Sequence, residues 1–321
     1  MADTSVVSRG HRSGVSDWLR ERGVYVALAL VLALNLAVTS NFASTGSIVL
    51  QLIEVVPILL VALGLSLVIG TEGIDLSVGS VMAIAAGVLP LYLGYGAVPA
   101  ILITLAVGAL VGLLNGTLVA LVGIQPIVAT LGVLVGGRGL AQVIAGGQQQ
   151  RISDDTIRAL GSLRLAGVLP VSVLIAFSAV LVISWVTRRT TFGRHVVAVG
   201  GNRRASRFSG LPVRRTLLGV YVLSAVLAAL AGILATARLG ASDTPNVGQL
   251  IELSGITAVV VGGTPLSGGR VRILGTVAGA LLMQLLNATF IMNNLPYTYA
   301  QMIQAVIILV AIYAQRPGVS S

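Results

Sequence analysis

The sequence predicts an all-α integral membrane protein with about ten transmembrane helices and both termini in the cytoplasm. Of its 321 residues, 56% are hydrophobic and only 9% are charged, whereas soluble domains average about 25% charged residues. Apolar segments that approach the length needed to cross a bilayer recur along the whole chain. The basic residues are also distributed unevenly between alternate loops, which predicts the orientation of the segments.

The apolar segments are separated by short polar or glycine-containing stretches. The eighth is too short to cross a membrane fully, and we expect it to be broken or extended at Gly262, Gly263 and Pro265. The predicted segments are 24–39, 48–69, 74–94, 98–122, 127–145, 170–187, 216–237, 251–263, 274–292 and 298–314.

The distribution of arginine sets the predicted topology. With the N-terminus in the cytoplasm, fifteen of the 20 basic residues lie on the cytoplasmic side, four lie outside, and Arg138 lies within a span. Such an excess is the positive-inside signal. It predicts a cytoplasmic tail (1–23), a transmembrane domain (24–315) with a cytoplasmic loop (188–215), and a cytoplasmic C-terminal tail (316–321).

The composition excludes several classes of function. The net charge of +10 comes from loop arginines, so it indicates orientation and not nucleic-acid binding. The chain has no lysine, which a Walker-type ATPase needs to reach the nucleotide phosphates. No metal-ligand spacing and no pairing of a nucleophile with a base is evident. We therefore expect no metal site, no directly bound cofactor and no enzymatic activity.

Small residues recur at helical spacing in three segments. Glycines at every fourth position form a stripe that allows a neighbouring helix to approach closely. They predict helix packing, or alternatively surfaces that slide during transport. The stripes are Gly108, Gly112 and Gly116; Gly132 and Gly136; and Gly275 and Gly279.

The long basic loop from Thr187 to Gly219 contains a predicted short helix. Asn202 is a suitable N-cap, "RRASRFSG" can form two turns, and Gly210 followed by Pro212 ends them. A capped amphipathic helix at the cytoplasmic face is typical of a docking element for a partner protein. The proposed docking residues are Asn202, Arg203, Arg204, Arg207, Phe208, Ser209 and Gly210.

Four blocks together resemble the permease subunits of ribose-type carbohydrate ABC importers. They are "GTEGIDLSVGSVMAIAAG", "LLNGTLVALVGIQPIVATLGVLVGGRGLAQVI", "FGRHVVAVGGNRRASRFSGLPV" and "VVVGGTPLSGGRVRILGTVAGALLMQLLN". The resemblance covers about residues 45 to 315, and "IQPIVATL" with "RGLAQVI" is most similar to galactofuranose-type permeases. It implies the ABC importer permease fold in a bacterial plasma (inner) membrane, with ten helices per subunit.

The resemblance also implies partners. A second permease subunit, a cytoplasmic ABC ATPase that binds ATP and Mg, and an external sugar-binding protein would complete the importer, which lies among membrane lipids. The segment from Asn202 to Gly210 matches the family's coupling region, which sits in a groove of the ATPase.

Three departures from the family pattern stand out. Thr71 and Glu72 precede a single glycine where the family commonly has two, Ser254 replaces an acidic residue, and Gln304 replaces a lysine. The last two remove charged groups, so they would fit one half of a permease heterodimer.

The stretch "GTEGIDLSVGS" places two acids between apolar segments. Glu72, Asp75 and Ser77 could form a polar cap on a helix that begins inside the protein, since acids are favoured at helix N-termini. Alternatively they form a gate or latch. The later block "TPLSGGR", which contains Ser267, echoes this stretch and is assigned to the same kind of structural loop.

A polar path for a hydroxylated solute requires donors and acceptors within the membrane. Glu54, Asn115, Arg138 and Gln142 are the predicted path residues, because a polar group at membrane depth usually faces a cavity or a partner. Arg138 could instead lie near the outer end of its span.

The combined prediction is a permease that translocates a sugar delivered by an external binding protein and driven by a separate ATPase. Only 4% of residues are aromatic, so the sugar is expected to be selected elsewhere. Two alternatives stay open: an ion-coupled secondary transporter, and an ABC permease for an amino acid or a nucleoside.

Overall fold

The computed structural model describes residues 14–165, 167 and 169–314, which are predominantly α-helical. The helices are α1 (Gly14–Val38), α2 (Thr45–Gly70), α3 (Val78–Leu91), α4 (Ala97–Thr117), α5 (Pro126–Ile144), α6 (Asp155–Ser162), α7 (Val171–Arg189), α8 (Thr191–Gly201), α9 (Arg203–Phe208), α10 (Val213–Leu239), α11 (Ile251–Val261), α12 (Ile273–Met292) and α13 (Tyr297–Ala314). A short π-helical turn (Leu118–Val122) extends α4. Two pairs of two-residue antiparallel strands complete the described chain: β1 (Gln150–Arg151) with β4 (Ala241–Ser242), and β2 (Arg164–Leu165) with β3 (Leu169–Pro170).

Each predicted apolar segment overlaps one of these helices over most of the segment's length. Six helices are long and apolar enough to cross a membrane: α2, α4 with its π-helical extension, α5, α7, α10 and α12. In the described part of the chain, four shorter apolar helical stretches of 10–17 residues lie within α1, α3, α11 and α13. The sequence and the structure therefore agree on a multi-pass membrane protein.

The core of the subunit is formed around α2 and α10. These helices pack against each other, α10 also packs on α3 and α4, and α2 also packs on α11 and α12. Leu60, Leu63, Leu65 and Leu67 occupy successive positions around α2 and are all fully buried. A helix that is apolar on every side is buried on every side when neighbours surround it.

Two of the three glycine stripes pack as predicted. A Cβ added at Gly112 would lie 2.6 Å from the Tyr221 carbonyl oxygen of α10, and one at Gly279 would meet the backbone of Ala258 in α11. By contrast, a Cβ added at Gly132 or Gly136 would meet no atom within 4 Å. The stripe on α5 therefore makes no close helix contact within the subunit.

The structure changes the start of the third predicted segment and confirms that the eighth is short. The third begins at Val78 and not at 74, because residues 73–76 lie outside any helix and are bonded to the neighbouring helices α5 and α10. The eighth is short, as predicted: α11 ends at Val261, followed by Gly262 and by Gly263, whose φ is 89°.

Helix α8 was not predicted, because its residues were interpreted as part of the loop from Thr187 to Gly219. Thr190 caps it by accepting a hydrogen bond from the Gly193 amide at 3.3 Å. Val196 and Val199 bury one side of the helix. Gly200 and Gly201, interpreted as part of a turn, are the last residues of α8.

Candidate functional site: docking helix, glycine junction and polar cavity

The short helix α9 has the predicted caps. The Asn202 side-chain oxygen accepts a hydrogen bond from the Ala205 amide at 2.8 Å. At the other end Gly210 has a φ of 76°, and its amide donates to the Arg207 carbonyl at 3.1 Å. Glycine adopts this left-handed conformation without the steric cost of a Cβ. The structure confirms the predicted helix and both of its ends.

The outer surface of α9 is open. Phe208 is 78% exposed, and the Arg204 guanidinium lies 5.7 Å from the centre of its ring. Arg204, Arg207 and Ser209 are also exposed. A large apolar side chain surrounded by cations suits a partner groove that is apolar at its centre and acidic at its rim.

The inner side of α9 is bonded to the rest of the chain. The Ser206 hydroxyl donates to the Ala198 carbonyl of α8 at 2.9 Å. The Arg203 guanidinium, at Nη2, donates to the Thr71 carbonyl at 3.4 Å. Helix α9 is thus tied both to the end of α8 and to the loop that follows α2.

Four glycines from three distant segments meet beside α9, and we call them the glycine junction: Gly70, Gly200, Gly268 and Gly269. The Gly269 amide donates to the Gly70 carbonyl at 3.1 Å. A Cβ added at Gly200 would lie 2.6 Å from the Gly269 nitrogen and even closer to the Gly70 oxygen. The junction therefore brings the end of α2 into direct backbone contact with the block "TPLSGGR", while Ser267 beside it is exposed.

The two acids of the first block have different environments. Glu72 is exposed and sits in the turn that ends α2, with a φ of 63°. Asp75 is fully buried. Its Oδ1 accepts hydrogen bonds from the Ser77 amide at 3.0 Å and the Ser77 hydroxyl at 2.6 Å, and its Oδ2 accepts one from the Ser224 hydroxyl of α10 at 3.0 Å.

The Asp75 cluster, comprising Asp75, Ser77, Asn115 and Ser224, also reaches α4. Asn115 is fully buried and donates from Nδ2 to the Ser77 hydroxyl at 2.7 Å. The predicted cap is wrong in one respect: Ser77 is at the N-cap position of α3 but makes no side-chain capping bond. Its hydroxyl is instead bonded to Asp75 and Asn115, so the cluster connects elements more than it caps one helix.

The extended segment beside Asp75 is bonded to α5 as well. The Thr130 hydroxyl accepts from the Leu76 amide at 3.1 Å and donates to the Ile74 carbonyl at 3.3 Å. The loop from 71 to 77 is therefore attached to α4, α5 and α10.

In the described part of the chain, the buried Tyr221 hydroxyl of α10 has no hydrogen-bond partner.

A polar cavity of about 490 Å³ lies between α2, α10, α11 and α12. Within it the Arg238 guanidinium forms an ion pair with Glu54, with Nη1 at 2.7 Å from Oε2. Gln284 donates to Gln51 at 2.9 Å. The polar lining residues are Gln51, Glu54, Arg238, Asp243, Asn246, Gln249, Ser254, Gln284 and Asn287.

The structure does not bring the four predicted path residues together. Glu54 lines the cavity, Asn115 is enclosed in the Asp75 cluster, and Gln142 is exposed on α5. Arg138 donates to the Val247 carbonyl at 2.7 Å and to the Gly248 carbonyl at 2.5 Å. Val247 and Gly248 line the cavity, so Arg138 holds part of its wall from behind.

Sequence reasoning missed several cavity residues. Arg238 was assigned to the outer loop, and its pairing with Glu54 spans 184 positions of the chain, which no local pattern reveals. Gln51 was detectable in principle, because it lies three residues before Glu54 on one face of α2.

The two charge-removing departures lie together. The Gln304 amide donates to the Ser254 hydroxyl at 2.9 Å, and both residues are buried. The two positions at which the resemblance implies an acid and a lysine are therefore occupied here by a neutral hydrogen-bonded pair.

The apolar helices, the exposed helix α9 and the polar cavity are consistent with a multi-pass membrane transport protein. The family model described as "Branched-chain amino acid transport system / permease component" matches residues 47–312. The chain belongs to this family.

Curated relatives match over most of their length. Galactofuranose transporter permease protein YtfT of Escherichia coli (strain K12) is 38% identical over 98% of this chain and 94% of its own. Ribose import permease protein RbsC of the same organism is 36% identical, with 96% and 97% covered. Fructose import permease protein FruF of Bifidobacterium longum (strain NCC 2705) is 36% identical, with 85% and 78% covered. No solved structure gives a significant match.

Proposed function

We propose that the chain is the membrane-spanning permease subunit of an ABC importer for a sugar. The observation that carries the proposal is the similarity, over nearly the full length, to import permeases named for galactofuranose and ribose. The polar cavity is the feature of this chain that fits such a solute. Its volume of about 490 Å³ is within the roughly 300–1,000 Å³ of small-molecule sites.

The cavity lining suits passage of a hydroxylated solute. Amide side chains such as Gln51, Gln284 and Asn287 offer both donors and acceptors, while the Glu54–Arg238 pair supplies charged ones. Among the residues that the structure describes, no aromatic side chain lines it. A path must bind its solute weakly enough to release it. Arg138 and Asn115 would then support the path by positioning its wall and the neighbouring helices, and a role for Gln142 stays a prediction.

Energy would come from a separate ATPase subunit that binds ATP and Mg, because this chain has no lysine for a Walker motif. The residues of α9, with its caps from Asn202 to Gly210, would dock into that subunit. An external binding protein would select the sugar, and a second permease subunit of the same or a homologous chain would complete the path.

The proposed topology has ten crossings and both termini in the cytoplasm of a bacterium, with the protein in the inner membrane. It is supported by the arginine distribution, which places the loop containing α8 and α9 in the cytoplasm. In this topology the outer end of α10, with Arg238, opens the cavity towards the external side. The tails 1–23 and 316–321 would flank the transmembrane domain; residues 1–13 and 315–321 lie outside the described part of the chain.

One alternative solute is favoured by a specific observation, since the family description names branched-chain amino acids. An ion-coupled secondary carrier has less support. Glu54, the acid that best suited such coupling, is paired with Arg238, and the docking helix would have no partner.

Uptake by the reconstituted importer tests the proposal. The permease, its ATPase and its binding protein would be placed in proteoliposomes and supplied with radiolabelled galactofuranose, ribose, fructose or leucine. We expect uptake of one sugar that requires hydrolysable ATP and resists a sodium or proton ionophore. Uptake of leucine and of none of the sugars would assign an amino acid permease. Uptake that needs no ATP and is abolished by the ionophore would support the secondary carrier.

A further inference from the structure

The glycine junction lies between the docking helix and the Asp75 cluster. On one side, Gly200 is the penultimate residue of α8, and α9 begins at Arg203. The Ser206 hydroxyl bonds back to the Ala198 carbonyl. This bond spans the bend between the two helices and connects α9 directly to the end of α8, and we call the two together the docking unit.

On the other side, Gly70 ends α2 and leads directly into the loop that carries Asp75. The Arg203–Thr71 hydrogen bond adds a second contact between this loop and the docking unit. Asp75 then bonds to Ser224 of α10, and the preceding backbone bonds to Thr130 of α5. Gly70 is therefore connected to two long helices through the 71–77 loop and its hydrogen bonds.

From this arrangement we propose that Gly200 is a positioning residue for coupling. Its contact with Gly70 and Gly269 transmits movement of the docking helix to the 71–77 loop and, through Asp75, to α5 and α10. The inference rests on the proposed function, because it requires an ATPase bound to α9. It names the contact within this chain that would connect a partner docked on α9 to the interior of the transmembrane domain.

The contact needs glycine at this position. A Cβ added at Gly200 would meet backbone atoms of Gly70 and Gly269, and backbone cannot rotate away as a side chain can. The added carbon would separate α8 from the two loops. Gly201 provides a matched control, because a Cβ there would meet no atom within 4 Å although it is the next residue of the same helix.

The test compares Gly200→Ala with Gly201→Ala in the complete reconstituted importer. We measure ATPase subunit retained on the permease, ATP hydrolysis with and without the binding protein, and sugar taken up per ATP hydrolysed. We expect Gly201→Ala to match the wild type in all three. Gly200→Ala should retain the ATPase subunit, while uptake per ATP falls roughly tenfold, within the range typical of coupling between sites.

A second measurement covers the case in which Gly200→Ala assembles poorly. The chain has no cysteine, so Ser267→Cys, at an exposed position beside the junction, gives a single thiol on the permease. Its maleimide labelling rate should change on vanadate trapping in the wild-type background. Arg203→Ala, which removes the other contact with the loop and adds no volume, should diminish that change in complexes shown to retain the ATPase subunit, since Arg203 is also one of the proposed docking residues.

The outcomes separate this inference from the proposed function. Absence of ATP-driven sugar uptake by the wild type would refute the function itself. Normal uptake per ATP in Gly200→Ala, in a complex that retains its ATPase subunit, would overturn the inference alone. A labelling change of equal size with and without Arg203→Ala would also count against transmission through this contact.

Discussion

Replacement of Asp75 would reveal what a fully buried carboxylate contributes to this fold. Asp75→Ala removes the acceptor of three hydrogen bonds, from the Ser77 amide, the Ser77 hydroxyl and the Ser224 hydroxyl. Leaving a buried donor unsatisfied costs about 1–3 kcal/mol. The Ser224 hydroxyl lies within α10 and can turn towards a backbone carbonyl, as serines in helices commonly do, but the Ser77 amide cannot.

We therefore expect Asp75→Ala to lower the free energy of unfolding by about 2–5 kcal/mol. The contributions are one unsatisfied amide, weaker hydrogen bonding of two hydroxyls, and the space left by the carboxyl group. Asp75→Asn should lose only about 1 kcal/mol. Its amide oxygen can still accept both bonds from Ser77, and its NH₂ group can donate to the Ser224 hydroxyl. Glu72→Gln is the matched control, because Glu72 is exposed and its substitution should leave stability unchanged.

Equilibrium unfolding of the purified permease in mixed micelles, with increasing sodium dodecyl sulfate and helicity as the signal, would measure these differences. A loss of about 3 kcal/mol lowers the folded-to-unfolded ratio more than a hundredfold. The order of stability should be wild type and Glu72→Gln, then Asp75→Asn, then Asp75→Ala. If Asp75→Ala unfolds with the wild type, the cluster does not hold the loop and this reasoning is refuted.

Three further experiments test other parts of the structure. Phe208→Asp should prevent binding of the ATPase in a pull-down while the permease still folds, because it places a charge at the centre of the docking surface. Gly112→Val should destabilise the fold by about 1–3 kcal/mol, measured by the same unfolding titration, whereas Gly132→Val should have little effect on the isolated subunit. Glu54→Gln should lower sugar uptake, and exchange of the pair as Glu54→Arg with Arg238→Glu should restore part of it.

Each of these predictions has a clear contrary result. Ser209→Ala, which changes the docking surface only slightly, is the control for Phe208→Asp, and full ATPase binding by the aspartate variant would exclude α9 as the docking site. Equal stability of the two glycine variants would mean that α4 does not pack closely on α10. Wild-type uptake by Glu54→Gln would remove the ion pair from the solute path.

Local chemistry made part of the site predictable. The cap at Asn202 and the stop at Gly210 depend on bonds that span only three or four residues, so the sequence predicts α9 nearly to the residue. The short eighth helix is predictable for the same reason, since glycines and a proline follow it directly. The predicted orientation of the helices likewise depends only on where the arginines lie along the sequence.

The environment of the two acids was not predictable. Glu72 and Asp75 lie three residues apart in one polar turn, yet only Asp75 is buried. Its burial depends on Asn115 and Ser224, and Ser224 is 149 positions away. Arg138 likewise had two interpretations in the sequence, and the carbonyls it binds are about 110 positions away. Tertiary contacts of this kind leave no local signal.

The buried pair of Ser254 and Gln304 bears on how this chain evolved. An acid facing the glutamine, or a lysine facing the serine, would leave a buried charge without a counter-charge at this contact, which is strongly unfavourable. A change at one position therefore favours a change at the other, and the two should covary among relatives as a charged or a neutral pair. Because both changes are compensated inside one chain, the loss of the two charges does not require a different second subunit, and two identical copies would suffice.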